Sequence, residues 1–421
     1  MHDWPDALRA LRHRNFRLYF AAQGISTLGL WAQQVAQAWL IYRLSDSIAL
    51  LGLVTCLGLL PQLLIGPLVG AWIDRHDKRR LLMIVESLLC LQAIALAALT
   101  ALGLITPLGL VALATLLGVL NAFDTPLRLS LVGALVEERD DLANALALNA
   151  SLFTLARFVG PPLAGLILGL FGEALCFAFN ALGFLPLLLA LSYVRMAPTP
   201  RSAGSLRSLL VEGLDYVRGT PQVRALMLSV LAVNLCASGY AALLPVFARD
   251  IFSGDARTLG WLWGAAGLGA LLASLLLARL RAPQALPRLI HLCAGLCAVA
   301  LLLFAASAQL WLALPAMALL GFAIAGNNLG SNIALQNAAP DALRGRVVAI
   351  FSATRFGFDA LGGLLLGLCA QHFGAPPTLT AAGLLLAAYC LWARSRTCLR
   401  SFGLEPDKAK TGEEAQFTSR K

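Results

Sequence analysis

The sequence predicts an all-α integral membrane protein of twelve transmembrane helices, arranged as two pseudo-symmetric six-helix halves. Three observations predict it. Apolar residues make up 59% of the 421 and charged residues only 13%, a balance that a surface facing water could not carry. The apolar residues fall in long uninterrupted runs, and a hydrocarbon core of roughly 30 Å takes about 20 such residues per helical span. A barrel would instead show strands of about ten residues with alternating polarity. Finally, a stretch of the fifth run returns in the eleventh.

Taken in order, the runs lie near 17–41, 48–73, 81–102, 108–131, 143–170 and 174–194, then near 223–247, 258–278, 286–307, 310–335, 347–371 and 376–394. Charged or Pro/Gly-rich breaks separate them. The first six spans fall in a bundle over 1–194, a polar connector covers 195–222, and the second bundle covers 223–397. The tail 398–421 is polar and reads as a disordered extension.

Charge sets the orientation. If the chain starts in the cytoplasm, the connections at 74–80, 132–142, 195–222, 279–288 and 336–346 share that side with both termini. They hold most of the 32 Lys and Arg, among them Arg75, Lys78, Arg79, Arg80, Arg218, Arg344 and Arg346. The opposite connections hold only Arg43, Arg249 and Arg257. This asymmetry is what the positive-inside rule requires, and it explains the net charge of +10 without a nucleic-acid partner. The start, MHDWPDALRALRHRNFRLYF, has no cleavage site after a short apolar core, so the N-terminus is expected to stay cytoplasmic.

Several chemistries find no residues to carry them. The nine cysteines are scattered, and the closest pair, Cys293 and Cys297, lies in an apolar run with no His or carboxylate nearby, so packing is their expected role and no metal site is expected. No GxxxxGK[ST] stretch suggests ATP hydrolysis. No nucleophile, base and orienting group recur at useful spacing, so neither an enzyme nor a cofactor is expected.

The repeat aligns LARFVGPPLAGLILGL (155–170) with ATRFGFDALGGLLLGL (353–368), setting Arg157 on Arg355, Gly165 on Gly363 and Gly169 on Gly367. Two halves with spans 5 and 11 equivalent is a transporter plan in which substrate sits between the halves. Pro161 cannot donate to the carbonyl of Arg157, and Gly160 and Gly165 strip side chains from one face so that another helix can approach. Span 8, with Gly260, Gly264, Gly267 and Gly269, is the expected partner; Gly66, Pro67 and Gly70 repeat the device in span 2. Generic tight packing and a moving joint are both open readings.

GAWIDRHDKRR (70–80) resembles the loop signature of the major facilitator superfamily, and RFVGPPLAG resembles the span-5 signature of its antiporters. FDTPLRLSLVGALV (123–136), RNFRLYFAAQGISTLG (14–29) and APDALRGRVVAIF (339–351) resemble the subgroup containing the enterobactin exporter and related bacterial efflux proteins. The likeness covers residues 9 to about 396. Three positions depart from it: Asp77 stands for the usual loop glycine, the span-5 motif ends Ala-Gly, and the loop after span 8 lacks an acidic residue. The resemblance implies a gate at Asp74, Arg75, Lys78 and Arg79, with the Asp74 carboxylate facing the positive N-terminal end of span 11. Positive-inside topology with a tight turn is the plainer reading of that loop. The resemblance also implies that spans 1, 4, 7 and 10 line the cavity.

Polar residues within spans cost free energy unless they face a cavity or a partner. On span 1, Gln23, Thr27, Gln34 and Gln37 share one face with Trp31 near them; span 4 offers Asn121, span 7 Asn234 and Ser238, and span 10 Asn327, Asn328 and Asn332. With Trp39, Phe123 and Tyr240 they would make a polar-amide cavity with aromatic walls, suited to an amphiphilic organic molecule. Interhelical hydrogen bonding without a ligand is the other reading.

The ionisable residues within spans are Glu86, Asp124, Arg128, Arg157, Arg355 and Asp359. Glu86 could reach Arg79 or Arg80. Asp124 and Arg128, one turn apart, could join the gate as a charge cluster, or Asp124 could carry a coupling proton. Asp359 stands where the first half has Pro161, and is expected to alternate between pairing with Arg355 or Arg157 and holding a proton. The expected function is proton-coupled export of a small amphiphilic compound, a siderophore or a drug, from the bacterial inner membrane. Its partners would be substrate, protons and membrane lipid, with the protein a monomer. A lipid or lysolipid translocator of the same fold, and a non-transporting receptor or scaffold, are the rivals.

Overall fold

A computed structural model describes residues 6–73, 76–136, 138–193, 206–280 and 285–395. After a short 3₁₀ stretch, Asp6–Arg12, the first half runs α1 (Arg14–Ser45), α2 (Ile48–Ile73), α3 (Lys78–Ala101), α4 (Pro107–Leu135), α5 (Arg139–Phe171) and α6 (Glu173–Tyr193). The connector contributes the amphipathic α7 (Leu206–Gly219). The second half runs α8 (Pro221–Cys236), α9 (Leu244–Val246), α10 (Ala256–Arg279), α11 (Leu286–Ala306), α12 (Leu310–Ala338), α13 (Asp341–Phe373) and α14 (Ala375–Ser395).

Eleven spans are long and apolar enough to cross a membrane among the described residues. α1, at 32 residues, is also long enough, but Gln23, Gln33, Gln34 and Gln37 lower its apolar character. With it the spans number twelve. The seventh is assembled from pieces: α8, a 3₁₀ turn at Ser238–Leu243, α9 and a π-turn at Phe247–Ile251. The backbone departs from α-geometry where it crosses α13: a Cβ at Gly239 would lie 2.6 Å from the Gly362 carbonyl carbon, and Pro245 supplies no N–H.

The starts of the elements are written locally. Asp77, where the family loop has glycine, caps α3 by accepting from the Arg79 and Arg80 amides at 3.0 and 3.1 Å. Thr106 caps α4 ahead of Pro107, and Asp255 caps α10. Large apolar side chains such as Leu91, Leu182 and Leu385 are more than 60% exposed, as a lipid-facing surface allows.

An even number of spans puts both termini on one face, here the terminal face; the other is the far face. Two pairs of helices join the halves, α5 with α10 and α2 with α13. The packing differs between the faces. Toward the far face one buried cluster joins both halves, from Leu40 and Phe177 to Phe247 and Phe304. Toward the terminal face the core divides, with Phe16, Leu82 and Leu131 in one half and Val223, Leu335 and Val347 in the other.

Candidate functional site

Between the halves lies a cavity of about 750 Å³. It extends from Ile41 and Leu51, beneath the far face, to Leu129 and Leu146, about two turns from the terminal ends of α4 and α5. α1 supplies Thr27, Trp31, Gln34 and Gln37; α4 supplies Asn121, Asp124 and Arg128. The seventh span supplies Asn234, Ser238 and Tyr240, and α12 supplies Asn328. The ionisable residues of the repeat, Arg157 on α5 and Arg355 and Asp359 on α13, open into the same space.

Other expected wall residues lie elsewhere. Gln23 is wholly buried inside the first half. Asn327 turns away from the cavity to donate to the Ser229 hydroxyl at 2.9 Å and the Ile290 carbonyl at 3.2 Å, tying three helices together. Asn332 accepts from Gln336 at 3.0 Å and is absent from the wall. Trp39 packs on the far-face core, and Phe123 sets its ring edge-on to Trp72 at 5.9 Å. The wall gains residues that spacing did not single out: Thr55 and Gln62 on α2, Asn149 and Phe153 on α5, and Trp263 on α10. Trp263 meets Trp31 edge to face at 5.6 Å, forming one aromatic corner from both halves. The WLWG stretch (261–264) is the visible signal for it in the sequence.

Asn234 and Asn328 exchange amide hydrogen bonds at 2.9 and 3.3 Å, and Ser238 donates to Asn234 at 3.0 Å, so the wall of the second half is held before any ligand binds. In the first half Gln33, which faces away from the cavity, donates to Gln92 and accepts from Asn180 at 2.7 Å. That network is structural.

A second charged group sits deeper. Arg128 pairs with Asp124 at 2.7 Å and with Glu86, also at 2.7 Å, while Tyr19 packs beside them. Glu86 is wholly buried. It therefore pairs with Arg128 rather than with Arg79 or Arg80. Arg79 instead donates to the Leu191 and Ser192 carbonyls at 2.7 and 2.6 Å, neutralising the carboxyl end of α6 within its own half. Lys78 opens α3. Asp74 and Arg75 lie outside the described residues.

The glycine positions divide in the same way. A Cβ at Gly165 would lie 2.7 Å from the Ala256 carbonyl oxygen and 2.9 Å from the Gly260 Cα, so α5 and α10 do cross there. One at Gly160 would meet the Trp31 side chain at 2.8 Å rather than span 8. α5 continues as one helix through Pro161 and Pro162. In α2 a close crossing is at Gly52, whose Cβ would lie 2.6 Å from the Gly363 carbonyl, whereas a Cβ at Gly66 meets open space; Pro67 and Gly70 lie within the helix, and their packing is outside the described residues. Gly165 with Gly260 and Gly363 with Gly52 are thus equivalent crossings.

Above the cavity the far face is closed by polar contacts between the halves. The Tyr42 hydroxyl donates to Asp250. Arg249 donates to Asp46 at 2.7 Å and lies over the Tyr42 ring at 5.2 Å. The Gln371 side-chain oxygen accepts from the Ile48 and Ala49 amides at 2.8 and 3.1 Å.

Comparison with known proteins agrees with this geometry. A staphyloferrin A transporter of Staphylococcus aureus is 26% identical over 376 residues, covering 87% of this chain and 92% of its own. The multidrug efflux pump Tap of Mycolicibacterium fortuitum is 29% identical over 366 residues, covering 83% and 88%. The enterobactin exporter EntS of Shigella boydii is 29% identical over 363 residues, covering 84% and 85%. A bacterial homologue of the human lysosomal transporter Spinster, solved inward-facing and unoccupied, shares the fold with a TM-score of 0.74 at 14% identity, covering 94% of this chain and 99% of its own. The family model described as transmembrane secretion effector matches residues 6–410. The chain belongs to that family, a multi-pass membrane transporter of the major facilitator superfamily and not an enzyme.

Proposed function

We propose that the protein is a proton-coupled secondary exporter that moves a small amphiphilic compound, siderophore-like or drug-like, out of the cell by alternating access. The observation that carries this reading is the central cavity, walled from both halves and sealed at one end by contacts between them. The similarity to siderophore and multidrug transporters supports the direction and the substrate class. The positive-inside pattern supports a cytoplasmic side for both termini, and on that reading the far-face-closed arrangement is the loading state. One chain encloses the whole cavity, which supports a monomeric unit.

The coupling proton is assigned to Glu86 and Asp124. They share one guanidinium, Glu86 has no contact with solvent, and the group carries a surplus negative charge that a single proton cancels. Asp359, the carboxylate favoured from sequence, faces two arginines instead of one. Asp124 borders the cavity, so a proton that enters the cavity can reach the group. The test is efflux from proteoliposomes under an imposed pH gradient. Wild type should acidify the lumen side opposite to substrate movement, and Asp124→Asn or Glu86→Gln should abolish proton movement. Substrate-dependent proton flux surviving in both variants would move the proton elsewhere, and substrate movement indifferent to the gradient in wild type would reject coupling.

A further inference from the structure

Arg157, Arg355 and Asp359 form a second charged group on the cavity wall, with a surplus positive charge of its own and no member shared with the proton site. Arg157 and Arg355 are equivalent in the internal repeat, one from each half, and the apposed halves bring both to one wall. Asp359 is the carboxylate that both sense. Among the described residues, however, no ion pair within 4.0 Å joins it to either guanidinium. Arg355 lies over the Phe356 ring at 5.0 Å, and Arg157 neighbours Tyr240. The other charged wall residues, Asp124 and Arg128, are committed to each other and to Glu86. Two guanidiniums are therefore balanced by one carboxylate, leaving one positive charge and planar N–H donors free of carboxylate partners. Arginine inside a membrane-spanning bundle is costly unless it meets a partner, and its fork suits a carboxylate or phosphate.

We propose that Arg157 and Arg355 receive the anionic head of an amphiphilic substrate, a carboxylate or phosphate gripped by one arginine from each half, while its apolar body lies against Trp31 and Trp263. This rests on the exporter reading and names the substrate class for it. An anion in that place brings the arginine group to neutrality and bridges the interface that must move during transport. Asp359 competes with it for the same two cations. The head can belong to a free organic acid or to a lipid, since the chemistry is shared.

The test uses the purified full chain in detergent, with pyrenebutyrate and its neutral amide as probes and energy transfer from tryptophan as the readout. Wild type should bind the acid at least about tenfold more tightly than the amide. Arg157→Gln and Arg355→Gln should each remove most of that preference while keeping amide affinity, which shows that the cavity is intact; Arg355→Lys should retain part of it. Asp359→Asn should tighten the acid and leave the amide unchanged. Displacement by lysophosphatidylglycerol but not by free indole-3-acetate would assign the head to a lipid, and the reverse to a free acid. Equal affinity of acid and amide in wild type, or unchanged preference in both glutamine variants, would overturn the anion site while the exporter reading stands. Failure of both probes to bind would overturn the cavity reading beneath it as well.

Discussion

At the scale of single residues, Arg128 is the side chain on which most depends in the first half. It holds two carboxylates at 2.7 Å, one of them, Glu86, wholly buried. Arg128→Met should destabilise the folded protein by about 3–5 kcal/mol, since removing one partner strands buried charge. Adding Glu86→Gln and Asp124→Asn should recover much of the loss, read as the thermal midpoint in detergent; no recovery would show that Arg128 acts through packing. The same scale shows what spacing could and could not reveal. Gln34 and Gln37 were visible because they recur on one helical face. Asn327 and Asn328 are adjacent, about 100° apart around the helix, and only the rotation of α12 decides that Asn328 meets the cavity while Asn327 ties helices together. Trp263 and Asn149 were missed because their helices were read as packing elements, yet a cavity between two bundles is walled by the crossing helices too.

Among the elements, the crossing pairs α5 with α10 and α2 with α13 are the joints on which the halves are hung. Their glycines are not equivalent in consequence. Gly165→Leu should abolish transport and weaken far-face closure, because backbone stands where the side chain would go. Gly52→Leu should do the same at the symmetric crossing. Gly160→Leu should act differently, displacing Trp31 and altering substrate affinity more than cycling. Gly66→Leu and Gly109→Leu should be near neutral, the first meeting open space and the second a threonine hydroxyl at 3.3 Å. Transport assays on purified variants with matched expression check the ranking, and loss of activity at Gly66 equal to that at Gly165 would break it. The repeat made α5 and α13 legible as partners across a pseudo-symmetry. The position of the α2 crossing was not legible, because GPLVG and a single Gly52 look alike until the register of two distant helices is known.

For the whole molecule, the division of the core is the informative feature. One hydrophobic cluster spans the halves toward the far face and two separate ones serve them toward the terminal face, so opening the far face must part packed apolar surface as well as the Tyr42, Arg249 and Gln371 contacts. Removing the polar contacts by Tyr42→Phe with Arg249→Gln should therefore shift the balance toward the far-face-open state without unfolding either half. The twelve-span plan, the two halves and the equivalence of α5 and α13 were written in apolar runs and the repeat. Which face is closed was not, because it depends on long-range pairs such as Tyr42 with Asp250 whose partners lie in different halves. The central claim is that the cavity exchanges access between the faces, and it is tested most directly by spin-label distances in a variant whose native cysteines are replaced. One pair, Leu104 with Gln309, spans the far face, and the other, His76 with Asn337, spans the terminal face. Under a pH gradient with substrate present, the far-face distance should lengthen while the terminal-face distance shortens. Both distances staying fixed, or both changing in the same direction, would contradict alternating access.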